Sequence, residues 1–467
     1  MCAPENLKFE VGHSVLSRSA PIDGPKVLVA QLGARRHYLV PATFHSNGML
    51  ARFFTDLYLC PGGAERVVQE CARLAPLSGL RRLAGRRDPG LTGELVKSYP
   101  FFAFQCKVRA RLATQGSGLT RTWMWAGHEF GRRVVQEEWG NAQAVYSFSS
   151  TSLEIFEAAK RAGMMCVLDF ATAPRRFESA LTGQQAARYE GWASRPPGLD
   201  ASASEYADRQ NRESELADVI ICASSFVKNA VEAESGQGSK AVVVPLGLRS
   251  LPLHVAPKPP VYGRPLRVLF VGDDAIRKGI GDLCRAIDEF GRQRCEVRIV
   301  GSVDLSRIGR EQASKRAKLV GAVPRQEMRQ QYEWADVCVL PSVSDTFGLV
   351  VLEAMSFGVP VITTPNTGGA DVIVDGENGF IVPIMSPGDI AERLEILDAD
   401  RVRLAALSQK AITRSGDFSM DRYGTRLIAA VRAAFERFTL EKRSACGIAH
   451  PAGEGLPNLN GRCSSSP

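Results

Sequence analysis

Short apolar runs alternate with longer amphipathic segments along most of the chain, a pattern typical of α/β proteins with parallel sheets. A short continuous apolar run indicates a strand that is buried on both faces. In the first half, strands are predicted at residues 26–30, 144–148, 166–169, 218–223 and 240–245. Helices are predicted at residues 152–162 and 49–58, the second with Asn47 as its N-cap.

Prolines cluster at residues 251–265, where we predict a semi-rigid linker between two domains. Beyond it the alternation restarts. Strands are predicted at residues 267–271, 297–300, 337–340 and 359–363, and helices at residues 281–291, 325–334 and 347–357. Two successive βα arrays predict two doubly wound, Rossmann-like domains that face a cleft, with ligands beyond the carboxyl ends of the strands.

The predicted domain boundaries follow from this alternation. Residues 1–250 form the first domain and residues 266–419 the second. A last helix over residues 420–440 is predicted to pack back on the first domain. Residues 445–467 are rich in Gly, Pro and Ser, which predicts a disordered tail.

Composition limits the class of protein. The chain has 467 residues, of which 45% are hydrophobic and 23% charged, and these ordinary globular values exclude bulk disorder. No apolar run reaches the roughly 18 residues that a membrane span needs, and the first residues do not resemble an export signal. Eleven cysteines are scattered without a Cys-x-x-Cys pair, so we expect reduced thiols, no zinc site and a cytoplasmic location.

The net charge of +8 is concentrated in the first 150 residues, which hold 19 Lys and Arg against 11 Asp and Glu. This region includes the cluster Arg81, Arg82, Arg86 and Arg87. Such a region predicts a peripheral contact with an anionic membrane, at its inner face, or a phosphate-linked substrate. A solvated basic loop is the plain alternative. Nucleic acid is not expected as a partner, because no zinc finger, aromatic RNA-binding signature or basic zipper is present.

Residues 341–355 carry the most informative pattern, because they follow a predicted strand and open a predicted helix. The free amides of Phe347, Gly348 and Leu349 would form a positive site suited to phosphate. Asp345 precedes the helix, and Glu353 lies about two turns along it. The alternative is that Asp345 only caps the helix and Glu353 is a surface residue.

This segment, SDTFGLVVLEAMSFGVPVITT, resembles the Glu-x7-Glu region of retaining GT-B glycosyltransferases of family 4. Further segments match the family in order and spacing. Residues 269–287 resemble its phosphate-binding strand-turn-helix, residues 320–342 the segment before the carboxylates, and residues 368–383 the glycine-rich segment after them. Residues 217–231 and 242–248 match the close of the acceptor domain. The resemblance covers residues 215–425 and, more loosely, residues 25–60.

The resemblance implies that a hexose-type sugar passes from a UDP- or GDP-linked donor to an acceptor hydroxyl of a saccharide or lipid, with retention at the anomeric carbon. The expected setting is the synthesis of cell-surface glycans or glycolipids, such as polysaccharides. No metal or other cofactor is expected. Lys278 matches the family lysine that neutralises the departing phosphate, and Arg277 beside it either assists or is an ordinary surface arginine. Glu353 matches the carboxylate that binds the nucleotide ribose, and Phe347, Gly348 and Leu349 match the amides at the donor.

Departures from the family pattern keep alternatives open. Asp345 stands where the family usually has glutamate, and Asp273 stands where it often has arginine. A catalytically inactive sugar-nucleotide-binding or scaffold protein is therefore one alternative, and a nucleotide-sugar 2-epimerase is another. Gly48 resembles the family glycine that lets the backbone approach the diphosphate, with a simple turn glycine as the alternative.

Overall fold

The first half of the protein is built on a seven-stranded parallel sheet. The computed structural model describes residues 24–60, 83–113, 117–194, 201–249, 252 and 255–445. The strands are β1 (Val27–Gln31), β2 (Leu50–Thr55), β3 (Val96–Ser98), β4 (Ala144–Phe148), β5 (Met165–Phe170), β6 (Val219–Cys222) and β7 (Ala241–Val243). Their order in the sheet is β3-β2-β1-β4-β5-β6-β7.

Helices cover both faces of this sheet. They are α1 (Leu39–Ser46), α2 (Pro100–Leu112), α3 (Ser117–Val135), α4 (Leu153–Arg161), α5 (Arg175–Arg188), α6 (Ala201–Leu216) and α7 (Ser225–Ser235). Alternate residues of β1 join different cores, Val27 and Val29 on one face and Leu28 and Ala30 on the other. This two-sided burial explains why the strands are continuous apolar runs in the sequence.

The second half repeats the architecture with six parallel strands. They are β8 (Leu266–Val271), β9 (Cys295–Val300), β10 (Lys318–Gly321), β11 (Val337–Leu340), β12 (Val361–Thr363) and β13 (Gly379–Ile381), in the order β10-β9-β8-β11-β12-β13. The helices of this half are α8 (Ile280–Phe290), α9 (Arg307–Ser314), α10 (Met328–Trp334), α11 (Leu349–Ser356), α12 (Pro387–Ala399) and α13 (Arg401–Ser415). The fold is therefore α/β with two Rossmann-like units, as predicted.

Each sheet has one topological switch point, where consecutive crossovers run to opposite sides. It lies between β1 and β4 in the first sheet and between β8 and β11 in the second. Ligands of doubly wound sheets bind beyond the carboxyl ends of the strands at such points. Four loops therefore line the expected binding positions. They are residues 32–38 and 149–152 in the first unit, and residues 272–279 and 341–348 in the second.

The last helix, α14 (Met420–Ala445), packs on the first sheet rather than the second. Its Tyr423, Leu427 and Val431 are fully buried in the core that contains β1. A buried ion pair extends this contact, because Arg36 donates to both carboxylate oxygens of Asp169 at 2.6 and 2.9 Å and to the Tyr423 hydroxyl at 2.5 Å. Arg36 thus links the start of α14 to Asp169 of β5.

The predicted helix over residues 49–58 is wrong. Residues 50–55 form β2, whose Phe53 and Phe54 pair with Val29 and Ala30 of β1. The helix in this region ends before it, at Ser46, where the Asn47 side chain donates to the Thr43 carbonyl at 2.8 Å. Asn47 therefore stabilises the end of one helix and does not begin another.

No helix in the described ranges is long and apolar enough to cross a membrane. The cysteines that the structure describes are free thiols, and most of them are buried. The predicted disordered tail, apart from Ala445, and Arg81 and Arg82 of the basic cluster lie outside the described residues.

Candidate active site at the second switch point

Lys278 and Asp345 meet between the loops that follow β8 and β11. The Lys278 ammonium forms an ion pair with the Asp345 carboxylate, and both side chains are largely buried, with 15% and 17% of their surface exposed. Gly279 allows the loop after β8 to lie close to the loop after β11. It has a positive φ of 77°, and a Cβ there would lie 2.1 Å from the Pro341 carbonyl oxygen. Only glycine combines this backbone conformation with such a close contact.

The Asp345 loop is held in place by its backbone. The Asp345 amide donates to the Asn366 carbonyl at 2.9 Å, and its carbonyl accepts from the Gly368 amide at 3.2 Å. The helix begins at Leu349, two residues later than predicted, because Gly348 adopts a left-handed conformation with φ 67°. No side chain caps this helix. The interpretation of Asp345 as a plain helix cap is therefore wrong, since its carboxylate faces Lys278.

The backbone amides of Phe347, Gly348 and Leu349 have no hydrogen-bond acceptor in the part of the chain that the structure describes. They lie two to four residues after Asp345, at the N-terminus of α11. Unpaired amides at a helix N-terminus carry partial positive charge and bind anions. The structure thus brings the predicted amides, Asp345 and Lys278 to one site.

Arg277 connects the two loops of the switch point. Its Nε donates to the Asp274 carboxylate at 3.0 Å, and a terminal nitrogen donates to the Ser344 carbonyl at 2.7 Å. Burial alone would lower the pKa of Arg277, but the carboxylates of Glu178, Asp274 and Asp345 outweigh it, and the pKa is raised. Arg277 is therefore a charged residue that joins the two loops, rather than an ordinary surface arginine.

Glu353 lies one turn into α11 and is partly exposed. Its Oε2 accepts a hydrogen bond from the Tyr332 hydroxyl at 2.7 Å, and Arg325 approaches its Oε1 at 3.9 Å. The Tyr332 bond leaves Oε1 available, since a carboxylate accepts several hydrogen bonds. Asp273, the other departure from the family pattern, instead accepts from the Ser302 amide at 3.0 Å and stabilises the loop after β9.

Gly48 lies away from this site, so the structure does not support its predicted contact with the donor. It precedes β2, and its carbonyl accepts from Lys26, which precedes β1, at 2.6 Å. Both residues are at the amino edge of the first sheet, whereas the cleft is at the carboxyl edge. Gly33 is at that edge. It follows β1 with φ 84° and has open space where a Cβ would lie.

The first unit reaches into the site through α5. The Ser344 hydroxyl, beside Asp345, donates to the Glu178 carboxylate at 3.1 Å. Gln185, further along α5, and the hydroxyl of Tyr189, which follows the helix, donate to the fully buried Asp282 of α8 at 2.5 and 2.7 Å. These contacts were not predicted, because they join residues about 100 or more positions apart in the chain.

Arg86 of the predicted basic cluster is engaged within the protein. It donates to the Asp56 carboxylate at 3.1 Å, which raises the Arg86 pKa against the effect of burial. Arg86 is therefore not free to bind an external anion. No group of three or more His, Cys, Asp and Glu side chains gathers at metal-binding distance in the described ranges.

Comparison with known proteins identifies the second unit. Residues 265–400 match the model of the family Glycosyl transferases group 1. A D-inositol 3-phosphate glycosyltransferase of Nocardia farcinica is 30% identical over 176 residues, which cover 38% of this chain and 35% of that protein. The Segniliparus rotundus protein of the same name is 30% identical over 178 residues, covering 36% of this chain and 40% of that protein. The matches thus span less than half of these relatives.

The fold of most of the chain is similar to that of solved structures. Anabaena HepE in complex with UDP superposes with a TM-score of 0.54 at 15% identity, over 87% of this chain and 100% of that chain. Sucrose-phosphate synthase from Thermosynechococcus elongatus gives a TM-score of 0.55 at 16% identity, over 90% of this chain and 99% of that chain. The chain has the GT-B fold, and its residues 265–400 are similar to the family Glycosyl transferases group 1.

Proposed function

We propose that this protein is a retaining glycosyltransferase of family 4 that moves a hexose-type sugar from a UDP- or GDP-linked donor to an acceptor hydroxyl. The observation that carries the proposal is the Lys278–Asp345 pair beside the free amides of residues 347–349. The relatives named D-inositol 3-phosphate glycosyltransferase support glycosyl transfer. The HepE complexes with UDP and with UDP and glucose support a nucleotide-sugar donor.

Breaking the bond between the sugar and the diphosphate leaves negative charge on the departing β-phosphate. Lys278 supplies a full positive charge and the amides of Phe347, Gly348 and Leu349 supply partial ones. Prearranged donors of this kind stabilise a transition state in proportion to the charge that develops there. Because these groups neutralise the diphosphate, the proposed reaction needs no metal ion or other cofactor.

The two carboxylates have separate roles in this proposal. Glu353 accepts hydrogen bonds from the ribose hydroxyls of the nucleotide, a geometry that suits its free oxygen. Asp345 binds hydroxyls of the donor sugar near the reacting carbon. Its present partner is Lys278, so donor binding would redistribute these contacts between the carboxylate, the ammonium and the sugar phosphate.

We also propose that the enzyme acts in the cytoplasm, at the inner face of a membrane, on a saccharide or lipid-linked acceptor of cell-surface glycan synthesis. We propose helix α2 as the contact surface, and note that Arg86 of the predicted arginine cluster is paired with Asp56. Phe101, Phe104, Val108 and Leu112 follow one face of α2 and are exposed. Lys107, Arg109 and Arg111 are exposed beside them, and α2 contains no acidic residue. Apolar and basic side chains together are typical of helices that lie on anionic bilayers.

A donor screen tests the proposed reaction. The protein is incubated with UDP- and GDP-sugars in the presence of EDTA, and nucleotide release is measured with and without candidate acceptors. We expect acceptor-dependent release from one donor, and an α-linked product from an α-linked donor. Tight nucleotide binding without turnover of any donor would instead favour the inactive binding protein, and an inverted product would contradict retention.

A further inference from the structure

Helix α5 is attached to both units of the protein. It has 14 residues, which corresponds to a length of about 21 Å. Its first turn is fixed in the first unit, because Arg176 pairs with Asp208 of α6 at 2.8 Å and with Glu234 of α7 at 2.7 Å. The Phe177 ring lies 6.0 Å from the ring of Phe226 in α7. Ionic and aromatic contacts therefore hold this end of the helix.

The other end of α5 is attached to the second unit at Asp282. This carboxylate is fully buried in the first turn of α8, four residues after Lys278. Gln185 donates to one of its oxygens and the Tyr189 hydroxyl to the other. Helix α8 has Gly281 where the Tyr189 ring lies, since a Cβ there would be 2.6 Å from the ring. A buried carboxylate that lost its donors would be strongly unfavourable, so this attachment is stable.

The segment after α5 continues the contact along the second unit. The Trp192 side chain packs against the core of that unit, and its carbonyl accepts from the Ser306 amide at 2.7 Å. The next residue, Ala193, forms an antiparallel bridge with Leu305. Residues 189–193 thus belong to the first unit by their place in the chain and to the second unit by their contacts.

The chain also passes between the units before β8 and before α14, and these two passages are paired. The Leu248 amide donates to the Phe418 carbonyl at 2.8 Å, and the Met420 amide donates to the Leu248 carbonyl at 3.1 Å. A hinge movement about these passages would change the distance between the two attachments of α5. An α-helix cannot stretch without losing its backbone hydrogen bonds. Opening of the cleft therefore requires α5 to leave one of the units.

We infer that α5 is a strut that holds the cleft at one opening, with Gln185, Tyr189 and Asp282 as positioning residues for the transfer. The inference rests on the proposed function, because the strut keeps the donor loops at a fixed distance from the first unit. Glu178, on the same helix, accepts from Ser344 of the donor loop at 3.1 Å. The proposed donor contacts lie in the second unit. The strut should therefore control transfer to the acceptor and leave nucleotide binding unchanged.

Small-angle scattering tests the strut without any transfer. The radius of gyration is measured without nucleotide, with UDP and with GDP. We expect one value for the wild-type protein in all three cases, and a larger value for a Gln185→Ala, Tyr189→Phe double variant without nucleotide. The matched control is Gln184→Ala, because Gln184 is the exposed neighbour of Gln185 on the same helix. This control should keep the wild-type radius.

Two outcomes of the scattering experiment would overturn the inference. One is compaction of the wild-type protein when it binds a nucleotide, and the other is a folded double variant that keeps the wild-type radius. If the double variant does not fold, the Tyr189→Phe variant decides the question in the same way, since it loses one hydroxyl and keeps the ring against α8.

Kinetics separates positioning from stability. Gln185→Ala should lower kcat for transfer at least about tenfold, since a displacement of about 1 Å can cause such a loss, and the Kd for the nucleotide should not change. The fraction of donor that is hydrolysed should rise, because an open cleft admits water in competition with the acceptor hydroxyl. An unchanged ratio of transfer to hydrolysis would contradict the positioning role. A larger radius in the double variant, without transfer by the wild-type protein to any acceptor, would retain the strut and refute the proposed function.

Discussion

Replacing Lys278 by alanine tests the chemistry proposed for the second switch point. A unit charge about 4 Å from another interacts by about 4 kcal/mol at the effective dielectric constant of a partly buried site. Asp345 already neutralises part of the Lys278 charge in the free protein. The stabilisation left for the departing phosphate is therefore smaller, about 3 kcal/mol, which corresponds to a loss of about 10²-fold in kcat.

The assay is nucleotide release under saturating donor, supported by single-turnover measurements that separate chemistry from product release. Lys315→Ala is the matched control, because the Lys315 ammonium pairs with Glu311 on the exposed surface of the same unit. We expect the control to turn over at the wild-type rate. A Lys278→Ala variant that folds normally and keeps kcat within about threefold of wild type would refute the phosphate role of this lysine.

A double-mutant cycle with Asp345→Asn resolves the contribution of the ion pair. If both residues act in the reaction, each single variant loses turnover, and because the two side chains are paired, the double variant loses less than the sum. If the pair only holds the two loops together, all three variants lose thermal stability and keep kcat. The unfolding midpoint and the rate thus separate a chemical role from a structural one.

Four further predictions concern single features. Glu353→Gln should raise the KM for the donor about tenfold, by weakening the bonds to the ribose, with a smaller rise for Tyr332→Phe. Gly279→Ala should destabilise the protein by about 2 kcal/mol or more in urea unfolding, since its Cβ would overlap the Pro341 carbonyl. Gly263→Ala is the control, because Gly263 has a similar φ of 74° but open space where a Cβ would lie. Its loss of stability measures the backbone strain alone, without the steric overlap. Burial raises the pKa of Glu213 to about 7. The contribution of Glu213 to the free energy of unfolding is therefore fully present below its unfolded pKa of about 4.5. This contribution is lost as pH rises through its folded pKa of about 7. Glu213→Gln should remove this slope in unfolding midpoints. The wild-type protein should co-sediment with vesicles of anionic lipid, and replacing Phe101 and Phe104 by Ser should abolish this co-sedimentation. Neither the wild-type protein nor the variant should co-sediment with neutral vesicles.

The strands were predictable because burial on both faces leaves an unbroken apolar run. Residues 144–148 and 337–340 are strands with the predicted bounds. The segment at residues 49–58 misled because residues 50–54, Leu-Ala-Arg-Phe-Phe, include polar and small positions that also fit a helix. The segment is a strand because it pairs with β1. Pairing with a distant strand leaves no signal in the local sequence.

The donor side of the site was predictable because its groups are close together in the sequence and resemble a known motif. Asp345, Phe347, Gly348 and Glu353 belong to one loop and one helix. The contacts between the two units were not predictable in this way. Glu178 accepts a hydrogen bond from Ser344, and these residues are 166 positions apart, so no local pattern in the sequence joins them.

The packing of α14 on the first sheet has a consequence for synthesis of the protein in the cell. The core that contains β1 is completed by Tyr423, Leu427 and Val431, which leave the ribosome after both sheets have been made. Contacts between such distant residues form slowly, and the uncovered apolar face is prone to aggregation until they do. We therefore expect residues 24–250 made alone to be insoluble, and solubility to return when residues 420–445 are supplied as a second chain. The core of the first unit is thus completed only by residues that are made after the second sheet.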